Sequence, residues 1–437
     1  MKKLSGWGRF PVIEANEVAP KCERELLTLL QNSDQPFIAR GNGRSYGDSS
    51  INKNLTISMT NFNRFIDWNE VTGELIAESG VLLSDVINYF LPLGWFPFVT
   101  PGTKFVTLGG AIASDVHGKN HHLEGSFGNY INWFEVVDES NNIIRCSKTD
   151  NPELFQWTIG GMGLTGIITK CSMQLKKVET GWIKQNTIIN NNLKETLQSF
   201  DDHNDATYSV AWIDCLTKGK NFGRSLLFLG EHALHSEVRN KEKVFPNMHK
   251  KKLSLFFNFP SFVLNNISVS IFNFLYFSFK AHETKEFIDW DKYFYPLDSI
   301  GNWNRLYGKK GFFQFQCVLP SDQSYIGYKK ILTYVQQESS GSFLAILKKF
   351  GPGNGNLSFP REGYTLALDF KASQKNIIVA QKITNIVKDH YGSIYLSKDA
   401  LMDEKSFSTF FDADLKEKFS RISNKQCSSA QSNRLKL

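Results

Sequence analysis

Apolar residues in the first 180 positions fall into short strand-like and helix-like runs that alternate closely. Residues 21–31 place their leucines mostly on one face of a helix. Residues 37–39 and 54–59 have strand patterns, the second with the alternation of a half-buried strand, and residues 82–94 again have a helical pattern. Strands and helices that alternate in this way predict an α+β domain.

The pattern changes at Gly181, beyond which alternating apolar and polar residues become common. Helical stretches at 325–339 and 375–392 lie between and after these segments, which predicts a mainly antiparallel sheet with helices on one side. A polar helical tail ends the chain. We therefore expect a first domain of residues 1–180, completed by residues 392–437, and a second domain of residues 181–391.

One segment of the second domain, at about residues 239–280, combines basic and aromatic residues. Its apolar run is interrupted by Asn258, Pro260, Asn265, Asn266 and Asn273. A membrane-spanning helix would be costly here because amides in hydrocarbon need partners. Two interpretations stay open: a buried or disordered insertion, and a mobile interfacial lid whose aromatic residues enter the head-group region while residues 250–252, all lysine, attract anionic lipid.

Composition narrows the possible partners. The chain has 437 residues and a formal charge of +7, without the zinc-finger spacing or basic-aromatic runs of nucleic-acid-binding proteins, so we expect no nucleic-acid partner. Its six cysteines have no CxxC spacing, and the start does not resemble a signal peptide, which predicts a cytoplasmic protein with reduced thiols. The 36 phenylalanines must be buried against one another, a large ligand or a membrane.

Three glycine-rich segments stand out as candidate cofactor loops. The first, ARGNGRSYGD at 39–48, has GxGxxxG spacing and is followed by a strand, whereas a Rossmann turn has GxGxxG and opens a helix. Its backbone amides suit an anion, although a tight turn without a ligand has the same residues. With the segments at 101–129 and 160–169, it indicates a long cofactor.

These segments resemble a known flavoprotein family. ARGNGRSYGD, PGTKFVTLGGAIASDVHGKNHHLEGSFGN, GGMGLTGII, GYTLALDF and YLSKDA are similar to the FAD-binding fold shared by vanillyl-alcohol oxidase and p-cresol methylhydroxylase (PCMH), and within it to the decaprenylphosphoryl-β-D-ribose 2′-oxidases. The similarity extends from Gly6 nearly to the C-terminus. It implies a two-domain, PCMH-type α+β fold with an antiparallel-sheet substrate domain.

The resemblance also implies a cofactor site for FAD. Its residues would be Ile38, Ala39, Arg40, Gly41, Asn42, Gly43, Arg44, Ser45, Tyr46, Gly47, Asp48, Gly102, Thr107, Leu108, Gly109, Gly110, Ser114, Asp115, Val116, His117, Ile168 and Tyr395. Many relatives attach FAD through a histidine at the position of Arg44, and some use a cysteine in the second loop that is missing here. The resemblance therefore implies noncovalent FAD.

Catalytic and substrate-binding residues follow from the same motifs. The implied catalytic residues are Lys398, His117 and Tyr46, and the implied substrate-binding residues are Lys119, Trp212, Gln314, Gln316, Lys348 and Lys398. Ala367 stands where the family often has a cysteine, and YFYPLD replaces a FYHPLD-like segment.

Several of these residues also have patterns typical of structural roles that involve no ligand. Lys398 has the pattern of a surface lysine paired with Asp399, the glutamines that of a polar strand face, and Trp212 that of a core residue. His117 and its neighbours 121 and 122 lack a spaced carboxylate or cysteine to complete a metal site, so we expect no metal.

By resemblance, the reaction is oxidation of the 2′-hydroxyl of a polyprenylphosphoryl-β-D-ribofuranose to a keto-sugar. Its partners would be an NAD(P)H-dependent short-chain reductase that forms the arabinose epimer, quinone or oxygen as electron acceptor, and the inner face of the cell membrane. The alternatives are a sugar-1,4-lactone oxidase, whose HWGK-type motif is absent here, and a nonenzymatic lipid-binding flavoprotein.

Overall fold

The computed structural model describes residues 1–238, 243–247, 253–260, 263–280, 284–338, 341–342 and 344–437. Its strands are β1 (Lys2–Ser5), β2 (Val12–Ala15), β3 (Glu17–Val18), β4 (Phe37–Arg40), β5 (Leu55–Ser58), β6 (Phe65–Trp68), β7 (Glu74–Glu78), β8 (Trp95–Pro97), β9 (Ile131–Val137), β10 (Ile143–Ser147), β11 (Ile167–Lys177), β12 (Trp182–Asn190), β13 (Tyr208–Ile213), β14 (Ser225–His232), β15 (Leu253–Ser254), β16 (Lys285–Asp289), β17 (Ile300–Gly301), β18 (Phe312–Leu319), β19 (Ala345–Phe350), β20 (Gly363–Lys371) and β21 (Ser393–Ile394).

The α-helices are α1 (Glu23–Gln31), α2 (Leu83–Phe90), α3 (Leu108–Ala113), α4 (His121–Glu124), α5 (Pro152–Thr158), α6 (Leu193–Asp202), α7 (Asn266–Lys280), α8 (Trp290–Phe294), α9 (Ser321–Gln337), α10 (Gln374–Asp389), α11 (Glu404–Phe410), α12 (Ala413–Ile422) and α13 (Ala430–Leu435). Strands and helices mix through the first 180 residues, and this confirms the predicted α+β class.

The first half of the chain contains two main sheets. One has the order β10-β9-β11-β7-β6, with β8 paired to β11, and the other is the small parallel sheet β3-β5-β4. The prediction of a half-buried strand at β5 is wrong, because all four of its residues are buried. β5 lies between two parallel neighbours, and parallel strands are usually covered on both faces.

The second half forms an antiparallel sheet of eight strands in the order β16-β12-β14-β13-β19-β20-β18-β21, as predicted. Strand side chains alternate between faces, so Leu366 and Leu368 of β20 enter a hydrophobic core with residues of α9 and α10, such as Ile331 and Ile383. The opposite face of the sheet carries the intervening residues and turns toward the first half of the chain.

The C-terminal segment returns to the first half of the chain. The Phe37 amide donates to the Gln426 carbonyl at 2.9 Å, and the Arg434 guanidinium pairs with Asp48 at 2.8 Å and with Asp399 at 3.1 Å. These contacts agree with a tail that completes the first domain, although the proposed domain boundaries stay a prediction.

The insertion predicted at about 239–280 includes α7 and, among the described residues, 243–247, 253–260 and 263–265 before it. Lys250, Lys251 and Lys252 lie outside the described residues. No helix of the described part of the chain has both the length and the hydropathy needed to cross a membrane.

Candidate active site

A cavity of about 1050 Å³ separates the glycine loops of the first half from one face of the eight-stranded sheet. Ligand pockets for drug-sized molecules have volumes of ~300–1,000 Å³, so this cavity is large enough for an extended cofactor. Loops supply one wall and strands the other. The arrangement brings residues more than 300 positions apart, such as Ser45 and Lys398, into one site.

The first glycine loop presents unpaired backbone donors to this cavity. The amides of residues 41–45 donate no hydrogen bond within the described part of the chain. The loop is nevertheless held in place, because Asn42 Nδ2 donates to the Phe105 carbonyl at 2.8 Å and the Trp7 amide donates to the Ser45 carbonyl at 2.7 Å. Consecutive free amides on a fixed loop form a concave site for an anion such as a pyrophosphate.

Close approach explains why glycine is needed in this loop. A Cβ at Gly41 would collide with Thr107 Oγ1, and Gly43 has a φ of +61°. Beside them, the Arg44 guanidinium lies 4.3 Å from the centre of the Trp7 ring, and its buried Nε atom has no hydrogen-bond partner. An orphaned buried donor here is consistent with an anionic ligand.

The second and third loops leave room along the same cavity. A Cβ at Gly102 would meet no atom within 4 Å, and Gly166 has a φ of +145°. Thr107 caps α3 by accepting a hydrogen bond from the Gly110 amide at 3.3 Å. The open space beside Gly102, together with the free amides of the first loop, fits FAD, which the first loop alone would be too short to hold.

Most of the predicted site residues line this cavity. They are Ala39, Gly41, Asn42, Gly43, Arg44, Ser45, Tyr46, Gly102, Thr107, Gly109, Gly110, Ser114, Val116, His117, Lys119, Ile168, Trp212, Gln314, Gln316, Lys348, Tyr395 and Lys398. Those placed behind the lining are Ile38, Arg40, Gly47, Asp48, Leu108 and Asp115.

The residues behind the lining hold the loops in shape. Asp115 is fully buried and accepts hydrogen bonds from Ser126 Oγ at 2.8 Å, the Gly128 amide at 2.9 Å and Asn354 Nδ2 at 2.9 Å. Arg40 donates to the Ser5 carbonyl at 2.7 Å. These side chains have partners within the protein, so their role in the structure is support of the loops.

His117 lies between the two walls of the cavity. Its Nε2 atom is 2.9 Å from Gln316 Nε2, and its buried Nδ1 atom has no partner. Burial lowers the pKa of His117 well below 6.5, with further lowering by Lys348, and the ring is therefore neutral near pH 7. With Gln316 donating to Nε2, the neutral ring carries its proton on Nδ1, where it is a hydrogen-bond donor.

Three partly buried lysines converge on the same part of the cavity. Desolvation lowers the pKa of Lys398 to about 7, of Lys119 to about 7 and of Lys348 to about 8. Lys398 Nζ lies 3.8 Å from the centre of the Tyr46 ring. Lys119 Nζ donates to the backbone carbonyl of Tyr293 and lies 4.0 Å from the centre of the Tyr293 ring. Because the lysines repel one another, an anion between them would be strongly favoured.

Comparison with known proteins identifies the family. The chain is 32% identical to the decaprenylphosphoryl-β-D-ribose oxidase of Mycolicibacterium smegmatis over 422 residues, which cover 94% of this chain and 91% of that protein. It belongs to the decaprenylphosphoryl-β-D-ribose oxidase family. Residues 17–147 also match the FAD binding domain family. The predicted family, FAD cofactor and class of FAD-dependent oxidoreductase are thus confirmed.

An oxidase and a dehydrogenase match shorter parts of this member of the decaprenylphosphoryl-β-D-ribose oxidase family. L-gulonolactone oxidase of Bos taurus is 26% identical over 207 residues, 46% of each protein. Cytokinin dehydrogenase 3 of Arabidopsis thaliana is 28% identical over 146 residues, 32% of this chain and 28% of that protein. These two matches are partial, whereas the match to the decaprenylphosphoryl-β-D-ribose oxidase spans nearly the whole chain.

Asp369 is a cavity neighbour that the sequence motifs missed. It is buried and accepts hydrogen bonds from Gln314 Nε2 at 2.6 Å and from the Tyr307 hydroxyl at 3.1 Å. Burial raises the pKa of Asp369 to about 6, while the field of this carboxyl raises the pKa of Lys398 against the larger effect of desolvation. A single acidic residue in the apolar strand β20 was the available signal.

The two histidines that follow His117 in the sequence form hydrogen bonds with two different backbone groups. His121 Nδ1 accepts a hydrogen bond from the Gly351 amide at 3.2 Å, and His122 Nε2 lies 2.9 Å from the Ala206 carbonyl. The described residues contain no group of three histidine, cysteine or acidic side chains placed to hold a metal.

We predict that sulfate binding at the lysine cluster weakens as pH rises from 6 to 9. The ammonium groups of Lys119, Lys348 and Lys398 are charged below their pKa values of about 7 to 8 and lose that charge above them, whereas sulfate keeps its charge. Sulfate affinity, measured by its perturbation of the flavin spectrum, should fall at least about tenfold. The Lys348→Met variant should bind more weakly and with a flatter pH profile; unchanged affinity across this range would contradict the assignment.

Proposed function

We propose that this protein uses FAD to oxidise the 2′-hydroxyl of a polyprenylphosphoryl-β-D-ribofuranose to the 2′-keto sugar. The observation that carries the proposal is the cluster of Lys119, Lys348 and Lys398 in the cavity that the FAD loops border. A phosphodiester is a permanent anion, and the partly desolvated ammonium groups of Lys119 and Lys348 would bind it more strongly than in water. The similarity to an oxidase of such a substrate supports the same conclusion.

The sheet supplies the groups that would recognise the sugar. Gln316 is fixed by His117 and by Thr365 Oγ1 at 3.2 Å, and Gln314 is fixed by Asp369 at 2.6 Å. Because the side-chain amides are held before the ligand arrives, little rotamer entropy is lost on binding. The two glutamines therefore define where ribose hydroxyls are bound.

Proton removal is assigned to Lys398. When bound, FAD accepts the hydride from the sugar carbon. A lysine with a pKa of about 7 is neutral in a substantial fraction of molecules at neutral pH and can accept the hydroxyl proton on Nζ. Asp369 would stabilise the ammonium that forms, while Tyr46 and His117 position the lysine and the substrate hydroxyls.

We also propose that FAD is bound without a covalent bond to the protein. None of the cysteines lines the cavity among the described residues, and Arg44 occupies the loop position at which many relatives have a histidine. His117 lines the cavity, but its Nε2 atom is already paired with Gln316. These observations support FAD held by backbone donors, Arg44 and packing alone.

We predict that acid precipitation releases the flavin of the purified, yellow protein into the supernatant. Without a covalent bond, unfolding removes the loops that hold FAD and leaves nothing to retain it. The absorbance of the supernatant and pellet checks the result, with an FAD-free incubation as the blank. Flavin that stays with the precipitated protein would show covalent attachment.

The Lys398→Ala variant should retain FAD and lose at least about 100-fold in the rate of flavin bleaching by substrate, because it lacks the proton acceptor. Stopped-flow absorbance under anaerobic conditions measures this rate. Lys349→Ala is the matched control, since Lys349 pairs with Asp201 at 2.7 Å and does not line the cavity. Equal bleaching rates for the Lys398 variant and the wild type would exclude the assigned role.

Partners follow from the chemistry of the product. A 2′-keto sugar becomes the arabinose epimer only by addition of hydride to the opposite face, which is the work of an NAD(P)H-dependent short-chain reductase. Quinone or oxygen would reoxidise the flavin. We place the protein in the cytoplasm, bound peripherally to the inner face of the membrane that holds the lipid-linked sugar.

Helix α7 supports binding to that membrane surface. The apolar side chains of one stripe are exposed: Ile267 by 73%, Ile271 by 56% and Phe274 by 61%. Their spacing puts them on one side of the helix, opposite the buried residues Val269 and Asn273. An exposed apolar stripe along one side of a helix is typical of helices that lie in the interface of a bilayer.

We predict that the protein cosediments with phosphatidylglycerol vesicles and that Ile271→Ser with Phe274→Ser reduces the bound fraction at least about fivefold, because the stripe loses buried apolar area. Ile326→Ser is the control, since Ile326 is 51% exposed on α9, outside the stripe. The proposal fails if wild type does not bind, or if both proteins bind equally.

A further inference from the structure

The cavity-facing side of the large sheet changes from polar to apolar along one row. Cα partners join Gln316 to Ala367, Ala367 to Ile346, and Ile346 to Trp212 across β18, β20, β19 and β13. All four residues line the cavity. With strands about 4.8 Å apart, the row spans about 14 Å from the glutamine beside His117 to the tryptophan.

The apolar end of this row continues into a part of the cavity that we call the apolar arm. Its lining residues are Val210, Trp212, Phe228, Phe272, Tyr276 and Leu344. The Tyr276 ring lies 4.9 Å from the Trp212 ring and 5.7 Å from the Phe272 ring, centre to centre. Helix α7 thus covers β13 and β14 at this end, while the sheet forms the floor.

A buried polar contact holds α7 in this position. Asn273, 2% exposed, donates from Nδ2 to Asp214 Oδ1 at 2.8 Å, and Asp214 also pairs with Arg224 at 3.0 Å. The Arg224 guanidinium lies 4.3 Å from the centre of the Phe277 ring. These contacts fix α7 with one side over the arm and the other side exposed.

We propose that the apolar arm binds the phosphate-proximal isoprene units of the lipid-linked substrate. This inference rests on the proposed function and adds the site of the chain to that of the sugar phosphate. Lys348 lies on β19 two residues from Ile346, and the Lys119 carbonyl accepts a hydrogen bond from the Ser209 amide of β13 at 2.8 Å. These lysines would hold the phosphate beside the row, so that the chain continues past Ile346 and Trp212. Ala367 has a small side chain and therefore leaves space at the middle of the row. The arm ends under α7, whose outer stripe is exposed.

The test is calorimetric titration of the FAD-loaded protein with prenyl phosphates of one, two and three isoprene units, and with inorganic phosphate. Affinity should rise with chain length, by about tenfold or more from one unit to three, because each unit buries apolar surface. Tyr276→Asn and Ile346→Asn should each remove most of this gain and leave the affinity for inorganic phosphate within about twofold of wild type.

Tyr325→Asn is the control, since Tyr325 is 39% exposed on α9 and does not line the cavity. Equal affinity for all chain lengths in the wild type would overturn the inference, as would an unchanged chain-length gain in both cavity variants. If a variant does not fold, as judged by its melting curve, the wild-type series still decides.

The prenyl phosphates carry no sugar, so this test is independent of oxidation. Chain-length-dependent binding without oxidation of any ribosyl phosphate would contradict the proposed reaction and keep the arm. Oxidation of ribosyl phosphates with the same efficiency at every chain length would contradict the arm alone.

Discussion

The structure of the site depends on how the loop at 41–48 is held by three distant parts of the chain. The Trp7 amide binds the Ser45 carbonyl at 2.7 Å, Asn42 binds the Phe105 carbonyl at 2.8 Å, and the Tyr46 amide donates to the Ser397 carbonyl at 3.0 Å. These contacts use carbonyls and side chains of the loop and leave the amides of 41–45 for a ligand. The same bond at Ser397 sets Lys398 over the Tyr46 ring, so the cofactor loop also positions the residue assigned to proton removal.

Charge and burial divide the cavity into regions of different chemistry. Backbone amides and Arg44 border one end, partly desolvated lysines the middle, and aromatic side chains under α7 the other end. Such a sequence of environments fits FAD at the first end, followed by the phosphate and then the hydrocarbon of the proposed substrate. Desolvation in this cavity lowers the pKa values of Lys119, Lys348 and Lys398, and repulsion by Lys348 lowers those of Lys119 and Lys398 further.

The sequence predicted the parts of this arrangement that are local in the chain. Glycine spacing indicated the cofactor loops, and motif resemblance indicated the lysines and glutamines. It could not indicate Asp369, whose importance comes from Gln314 and Tyr307 more than 50 residues away. The half-buried pattern of β5 was misleading because burial of its second face depends on neighbouring elements. The row from Gln316 to Trp212 requires strand register, which no single segment contains.

The central claim is that the cavity binds a lipid-linked ribose and oxidises its 2′-hydroxyl. Anaerobic single turnover with synthetic polyprenylphosphoryl ribose tests it most directly, followed by reduction of the product with borodeuteride and mass analysis. The account predicts full bleaching of the flavin and one deuterium at C2′ of the recovered sugar. Failure of this substrate to bleach the flavin, with bleaching by a soluble aldonolactone instead, would contradict it.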